Sequence, residues 1–113
     1  MCSLSAASAL VKTGVNARLN RILTTRRERA ADLGDAAEEL FDAADALLAG
    51  GKRTRALLAG LGAALGQQGA EREETLGSAL VAGTGAALEL YQASALMHDD
   101  VIDDASLRRG QPA

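Results

Sequence analysis

Proline is all but missing from this sequence: the single one is Pro112, next to the end of the 113 residues. An interior without proline sets no break on long helices. Aromatic residues are as scarce, at 2%, while hydrophobic residues reach 48%, so any core must be built from Leu, Ala and Val. There is one cysteine, Cys2, which excludes an intrachain disulfide and a cysteine-cluster metal site and fits a reducing compartment. Charge of neither sign dominates: the net value of −3 gives no general nucleic-acid footprint, so no nucleic-acid partner is expected. The longest uncharged runs, 56–70 and 75–88, are too short and too rich in Gly and polar residues to span a membrane. The N-terminus lacks the basic stretch and apolar core of a secretory signal. These absences predict a cytoplasmic chain with no transmembrane segment.

What remains is helical in pattern, in a length that suits one small domain. A first helix is predicted over about 4–31, where Val11, Val15, Leu19, Ile22 and Leu23 form one apolar stripe. Its second half carries Arg18, Arg21, Arg26, Arg27 and Arg29, which read as a solvated basic face near a helix C-terminus, with a polyanion site as the alternative. Asp35 followed by Glu38 resembles a capping box and predicts a second helix. Its stripe is Ala37, Leu40, Phe41, Ala44, Leu47 and Leu48, with Asp42 and Asp45 facing water; Gly50-Gly51 then stops it. A third helix is predicted over about 54–65 with Leu57, Leu58, Leu61 and Leu65 inward. A fourth, lined with Ala, Gly, Ser and Thr, is predicted from near Glu73 through Asp99 or beyond. Nothing reads as a strand. The expected class is all-α, a bundle of antiparallel helices.

The segment His98-Asp99-Asp100-Val101-Ile102-Asp103-Asp104 contains the pattern DDxxD. On a continuing helix Asp99 and Asp103 lie one turn apart on one face. Carboxylates held that close repel each other unless a cation sits between them. Their hard oxygens suit Mg2+, which keeps waters and takes further ligands from substrate phosphates. The same residues also read as an acidic helix end in water, although negative charge is unfavourable at a C-terminus. An EF-hand fits poorly, since its loop pattern and central Gly are missing.

Two basic segments flank this cluster. Gly50-Gly51-Lys52-Arg53-Thr54-Arg55 places three cations after a glycine pair at a predicted helix start. Free backbone N–H groups, the helix dipole and the cations together favour a phosphate there. Leu107-Arg108-Arg109-Gly110 adds two arginines, whose guanidinium groups bind phosphate oxygens bidentately. Either segment alone reads more readily as a charged surface loop; the joint order with DDxxD is what carries information. Gln92 falls within about 20° of the helical line through 99 and 103, so its amide points with those carboxylates.

This order of GGKRTR, ELYQASALMHDDVIDD and LRRGQPA resembles the trans-isoprenyl diphosphate synthases, the polyprenyl synthetase family. The resemblance is clear over residues 50–55 and 89–113. It implies an all-α fold of which 1–113 are the first helices, around a deep cavity. It implies a Mg2+-dependent prenyltransferase condensing isopentenyl diphosphate with an allylic diphosphate. Carried over by position, Asp99 and Asp103 would ligate Mg2+ with Asp100 supporting the catalytic cluster. Arg108 would contact the allylic diphosphate, and Lys52, Arg55, Arg109 and Gln92 the isopentenyl diphosphate. His98 would pack behind the cluster. Ala95, Ser94 and Tyr91, at four, five and eight places before Asp99, would line the tail cavity. The small pair with Tyr91 as a floor implies a product of geranylgeranyl length or longer.

The sequence departs from the family pattern in two ways. The family's chains are much longer and carry a second aspartate-rich motif on a later helix; neither that motif nor a later Lys is present here, so a truncated N-terminal portion, inactive alone, is expected. Apolar faces left without those helices predict a homo-oligomer. Ala56 stands where the family usually has proline after GGKRxR. Two other functions use related features. A non-catalytic regulatory subunit need not keep the GGKR, DDxxD and RRG set. A class I terpene cyclase shares DDxxD but has no second diphosphate to occupy GGKRTR.

Overall fold

A computed structural model describes residues 3–103, 107–108 and 111–112, with side chains as far as Asp100. The helices are α1 (Leu4–Arg29), α2 (Asp35–Ala49), α3 (Thr54–Ala64), α4 (Ala70–Leu76) and α5 (Ala79–Asp103). After them β1 (Leu107–Arg108) pairs antiparallel with β2 (Gln111–Pro112), Leu107 opposite Pro112 and Arg108 opposite Gln111. The fold is all-α as expected; this two-residue hairpin is the one addition to it among the described residues. No described helix is long and apolar enough to cross a membrane. Cys2 lies outside the described residues.

The long helix α1 starts where Ser3 Oγ accepts from the Ala6 N–H at 3.1 Å, which satisfies one of the donors a helix start leaves without partners. Ala7, Val11, Val15 and Leu19 recur every fourth residue and are buried, Val15 completely. Ile22 and Leu23 continue that stripe, partly buried. The core lies between this stripe, α3 and α5, and burying each of the two valines contributes about 2 kcal/mol.

Small residues let these three helices approach closely. The buried line of α3 is Ala56, Gly60 and Ala64, not the expected leucines: Leu58 is 65% and Leu65 79% exposed, while Leu57 and Leu61 sit partly buried beside the line. A Cβ at Gly60 would lie 2.6 Å from Val11 Cγ2, and one at Gly85 would lie 2.7 Å from Val15 Cγ2 and 2.9 Å from Ala56 Cβ. Glycine inside a helix costs roughly 1 kcal/mol relative to alanine. Here the close contact it permits offsets that cost.

Four further expectations change. The predicted fourth helix is two helices, broken at Gly77-Ser78. Ser78 Oγ donates to the Thr75 carbonyl at 2.7 Å and accepts from the Val81 N–H at 3.2 Å, so the same hydroxyl closes α4 and caps α5. The capping box at Asp35 does not form: the N-cap of α2 is Gly34, at φ 88°, without a side-chain cap. Leu40 of the predicted stripe is 59% exposed. The first helix ends at Arg29, before the predicted 31, and a short 3-10 turn at Ala31–Leu33 leads into Gly34.

Glu38 is drawn instead to α1. Arg27 donates to Glu38, to Asp42 at 3.1 Å and to Asp45 at 2.7 Å, all on α2. Its guanidinium also sits 5.3 Å from the centre of the Phe41 ring, within cation–π reach. Loss of water works against the Arg27 charge, but the hydrogen bonds to Glu38 and Asp42 outweigh it and hold its pKa above the ordinary value. Asp42 and Asp45 do face water, as expected, yet each has this partner. The predicted solvated basic face is therefore, at Arg27, the fastening between α1 and α2.

Candidate functional site

The basic segment folds as a turn that starts α3. Gly50 caps α2, its N–H bonding the Ala46 carbonyl at 3.2 Å. The chain then reverses through Gly51 and Lys52 to Arg53, which adopts the left-handed conformation at φ 61°. Few residues other than glycine do so, and a non-glycine there must be held by its surroundings. Arg53 Nε donates to Asn16 Oδ1 on α1 at 2.8 Å, a contact that anchors the turn. The three cations of this segment thus separate. Arg53 points into the cleft between α1 and α2, whereas Lys52 and Arg55 are exposed at the helix start.

The other side of the site is α5, whose backbone stays helical to Asp103. Asp99 is exposed and Asp100 is buried, at 6%. The reason is angular: Glu89, Ala93 and Asp100 lie within about 20° of one helical line, and all three are buried. Asp99, one residue off that line, turns to the surface. The backbone of the same helix continues one turn further, to Asp103. A carboxylate such as that of Asp99 offers the hard oxygens that Mg2+ takes, with water and phosphate completing its shell. Among the described residues no group of three or more His, Cys, Asp or Glu side chains converges on a metal position. The side chains of Asp103 and Arg108, and all of Arg109, lie outside the described residues.

Gln92 is half-buried on the line that leads to Asp99, and His98 is exposed, not packed. Ser94 and Tyr91 are exposed, Tyr91 at 75%, and Ala95 is half-buried.

One residue ties the two halves together. Glu89 is 6% exposed, and its Oε1 accepts from the Ala56 N–H of α3 at 3.1 Å. Within α3 the first intrahelical bond is donated by Leu57 to the Arg53 carbonyl, so the Ala56 N–H is one of the donors that a helix start leaves over. A carboxylate is also favoured at the positive end of the α3 dipole. This contact sets the basic turn against α5 at the level of Glu89. Gln92 follows about 4.5 Å along the axis and Asp99 about 15 Å, at 1.5 Å per residue. Sequence reasoning missed Glu89. Its signal was an acid set among Val81, Gly85, Ala86 and Ala93, which are apolar or small and buried.

Comparison with known proteins agrees with these features. A family profile described as polyprenyl synthetase matches residues 37–113, which include both the basic turn and the aspartates. The chain is 45% identical over 80 residues to heptaprenyl diphosphate synthase component 2 of Geobacillus stearothermophilus, covering 71% of this chain and 21% of that protein. It is 36% identical over 107 residues to nonaprenyl diphosphate synthase of Mycobacterium tuberculosis, covering 94% and 28% respectively. It is 40% identical over 78 residues to a short chain isoprenyl diphosphate synthase of Methanothermobacter thermautotrophicus, covering 67% and 21%. The alignments thus span between 21% and 28% of the length of these relatives. No solved structure matches significantly.

Proposed function

The chain belongs to the polyprenyl synthetase family, and we propose that it supplies the diphosphate-binding portion of a cytoplasmic prenyltransferase that joins isopentenyl diphosphate to an allylic diphosphate. The observation that carries this reading is the pairing on α5. An exposed Asp99 stands at one end and, through the Glu89–Ala56 contact, a helix start bearing exposed Lys52 and Arg55 is docked at the other. A carboxylate that could hold a diphosphate through a cation, and a basic helix start set apart from it, suit a reaction with two diphosphate substrates, where a single-substrate cyclase needs one.

In this reading the residues divide the work. Asp99 and Asp103 hold Mg2+ and Asp100 supports them from the buried side of the helix. When bound, the ion neutralises the leaving diphosphate. Arg108 steadies that same diphosphate. Lys52, Arg55, Arg109 and Gln92 hold the isopentenyl diphosphate, so that its double bond faces the allylic carbon. Fixing two reactants in this way removes much of the entropic barrier to their meeting.

The side chains before Asp99 suggest product length. Ser94 and Ala95 are small, and Tyr91 lies two turns back. We read this as a channel open to geranylgeranyl length or longer with Tyr91 as its floor. The names of the similar proteins range from short-chain to nonaprenyl, so the side chains carry this point. Tyr91→Ala is expected to lengthen the product by at least one isoprene unit, and an unchanged product length counts against the floor. Leu58, Leu65 and Leu80, 65%, 79% and 78% exposed, support self-association, and a monomer in light scattering at micromolar concentration would contradict it.

The test is incubation with Mg2+, labelled isopentenyl diphosphate and, separately, dimethylallyl, geranyl and farnesyl diphosphate, with products resolved by length. Turnover identifies the product. Mg2+-dependent diphosphate binding without turnover, abolished in Asp99→Asn, supports the binding portion of such an enzyme. No diphosphate binding with or without Mg2+ removes the reading.

A further inference from the structure

Glu89 and Asp100 are the buried charged side chains among the described residues, and both lie on the same line of α5. The DDxxD pattern accounts for Asp100 and nothing so far accounts for Glu89. An acid in an apolar interior is costly unless it is hydrogen-bonded, and this one spends an oxygen on a backbone N–H of another helix. That N–H exists because residue 56 is alanine; proline at this position, the family's usual residue, has no N–H to give. Close packing lies at the same place, where a Cβ on Gly85 would come within 2.9 Å of Ala56 Cβ. The turn before α3 is pinned from its other side by Arg53 on Asn16. Arg55 lies between these two anchors and Lys52 just before the first, and both have exposed side chains.

We propose that Glu89 is a positioning residue: by accepting from the Ala56 N–H it holds the first turn of α3, and with it Lys52 and Arg55, in register with the diphosphate-binding face of α5. The inference rests on the diphosphate reading above and names the device that sets its geometry. Glu89 touches no substrate in this account. It acts through the backbone of α3, and only on the diphosphate held by the basic turn.

The test compares Glu89→Leu, Glu89→Gln, Ala56→Pro and the double variant Glu89→Leu with Ala56→Pro. Affinity for isopentenyl diphosphate without Mg2+, and Mg2+-dependent affinity for geranyl diphosphate, are measured by calorimetry well below each melting point. Glu89→Leu is expected to weaken isopentenyl diphosphate binding about tenfold and to leave geranyl diphosphate binding within twofold. Glu89→Gln keeps an acceptor and is expected to recover most of that loss. Ala56→Pro removes the donor within the first helical turn, where proline is tolerated, and should reproduce the loss. The double variant should add nothing further. Equal weakening of both ligands, or additive losses in the double variant, overturns the proposal. If the unaltered chain binds neither ligand, the diphosphate reading fails by itself. The positioning role is then decided by amide hydrogen exchange: at least tenfold faster exchange at Ala56 in Glu89→Leu but not Glu89→Gln supports it, and unchanged exchange overturns it.

Discussion

On one side of the bundle α2 is fastened to α1 by an arginine with three carboxylates; on the other, the Glu89 carboxylate of α5 holds a backbone N–H of α3. The first cluster is exposed: Glu38, Asp42 and Asp45 keep 57%, 69% and 53% of their side-chain surface in water. Water and salt screen such charges, so several ion pairs there contribute little. The second link is buried against close-packed glycine and alanine. A single hydrogen bond there contributes about 1 kcal/mol net, but leaving its donor unpaired costs up to ~3 kcal/mol. The difference teaches that the number of charged contacts does not rank the interfaces. The α3–α5 interface, with its buried hydrogen bond, should be the stiffer one, and it carries the basic turn.

Variants can break this comparison. The largest effect is expected from Gly85→Val, which puts branched carbon where a bare Cβ already comes within 2.7 Å of Val15 and 2.9 Å of Ala56. Overpacking of this kind costs about 3 kcal/mol at the upper end of its usual range. Denaturant unfolding should show the midpoint falling by the corresponding amount, and a neutral result would mean that α3 and α5 are not locked together. Next is Glu89→Leu, expected to cost about 2 kcal/mol through the unpaired Ala56 N–H. That loss should be the same in low and high salt, since no ion pair is involved. A loss that salt abolishes would show that Glu89 acts through charge instead.

The features that sequence reasoning found are those set by neighbours along the chain. The Val11, Val15 and Leu19 stripe, the stop at Gly50-Gly51, the helix start at Thr54 and the continuation of α5 to Asp103 all follow from local spacing. What escaped depends on partners far away in sequence. On α3 the large residues at 57, 58, 61 and 65 outweigh the small line at 56, 60 and 64 in any count of apolarity. Only the closeness of Val11 and Gly85 shows that the small line is the buried one. Glu38 satisfies a capping pattern with Asp35, but an arginine eleven residues earlier, Arg27, takes it. Glu89 finds its donor thirty-three residues earlier. The break at Gly77-Ser78 was legible as a turn-and-cap dipeptide and was overridden by the helical composition on both sides.

The smallest effect is expected at the side with more charged contacts. Arg27→Ala removes the cation that meets Glu38, Asp42, Asp45 and the Phe41 ring together, and leaves three carboxylates on successive turns of α2. Those like charges then repel, so in dilute buffer the melting temperature should fall, by less than in Glu89→Leu. At ~1 M NaCl, where the Debye length is about 3 Å, both the lost attraction and the new repulsion are screened. Most of the deficit should therefore vanish with salt, leaving the part due to packing against Phe41. Arg27→Lys keeps charge but not the planar fork that reaches several acceptors at once, and it should fall between the two. If Arg27→Ala instead destabilised more than Glu89→Leu, and did so equally at high salt, the exposed cluster would be the stiffer fastening and the ranking of the two interfaces would reverse.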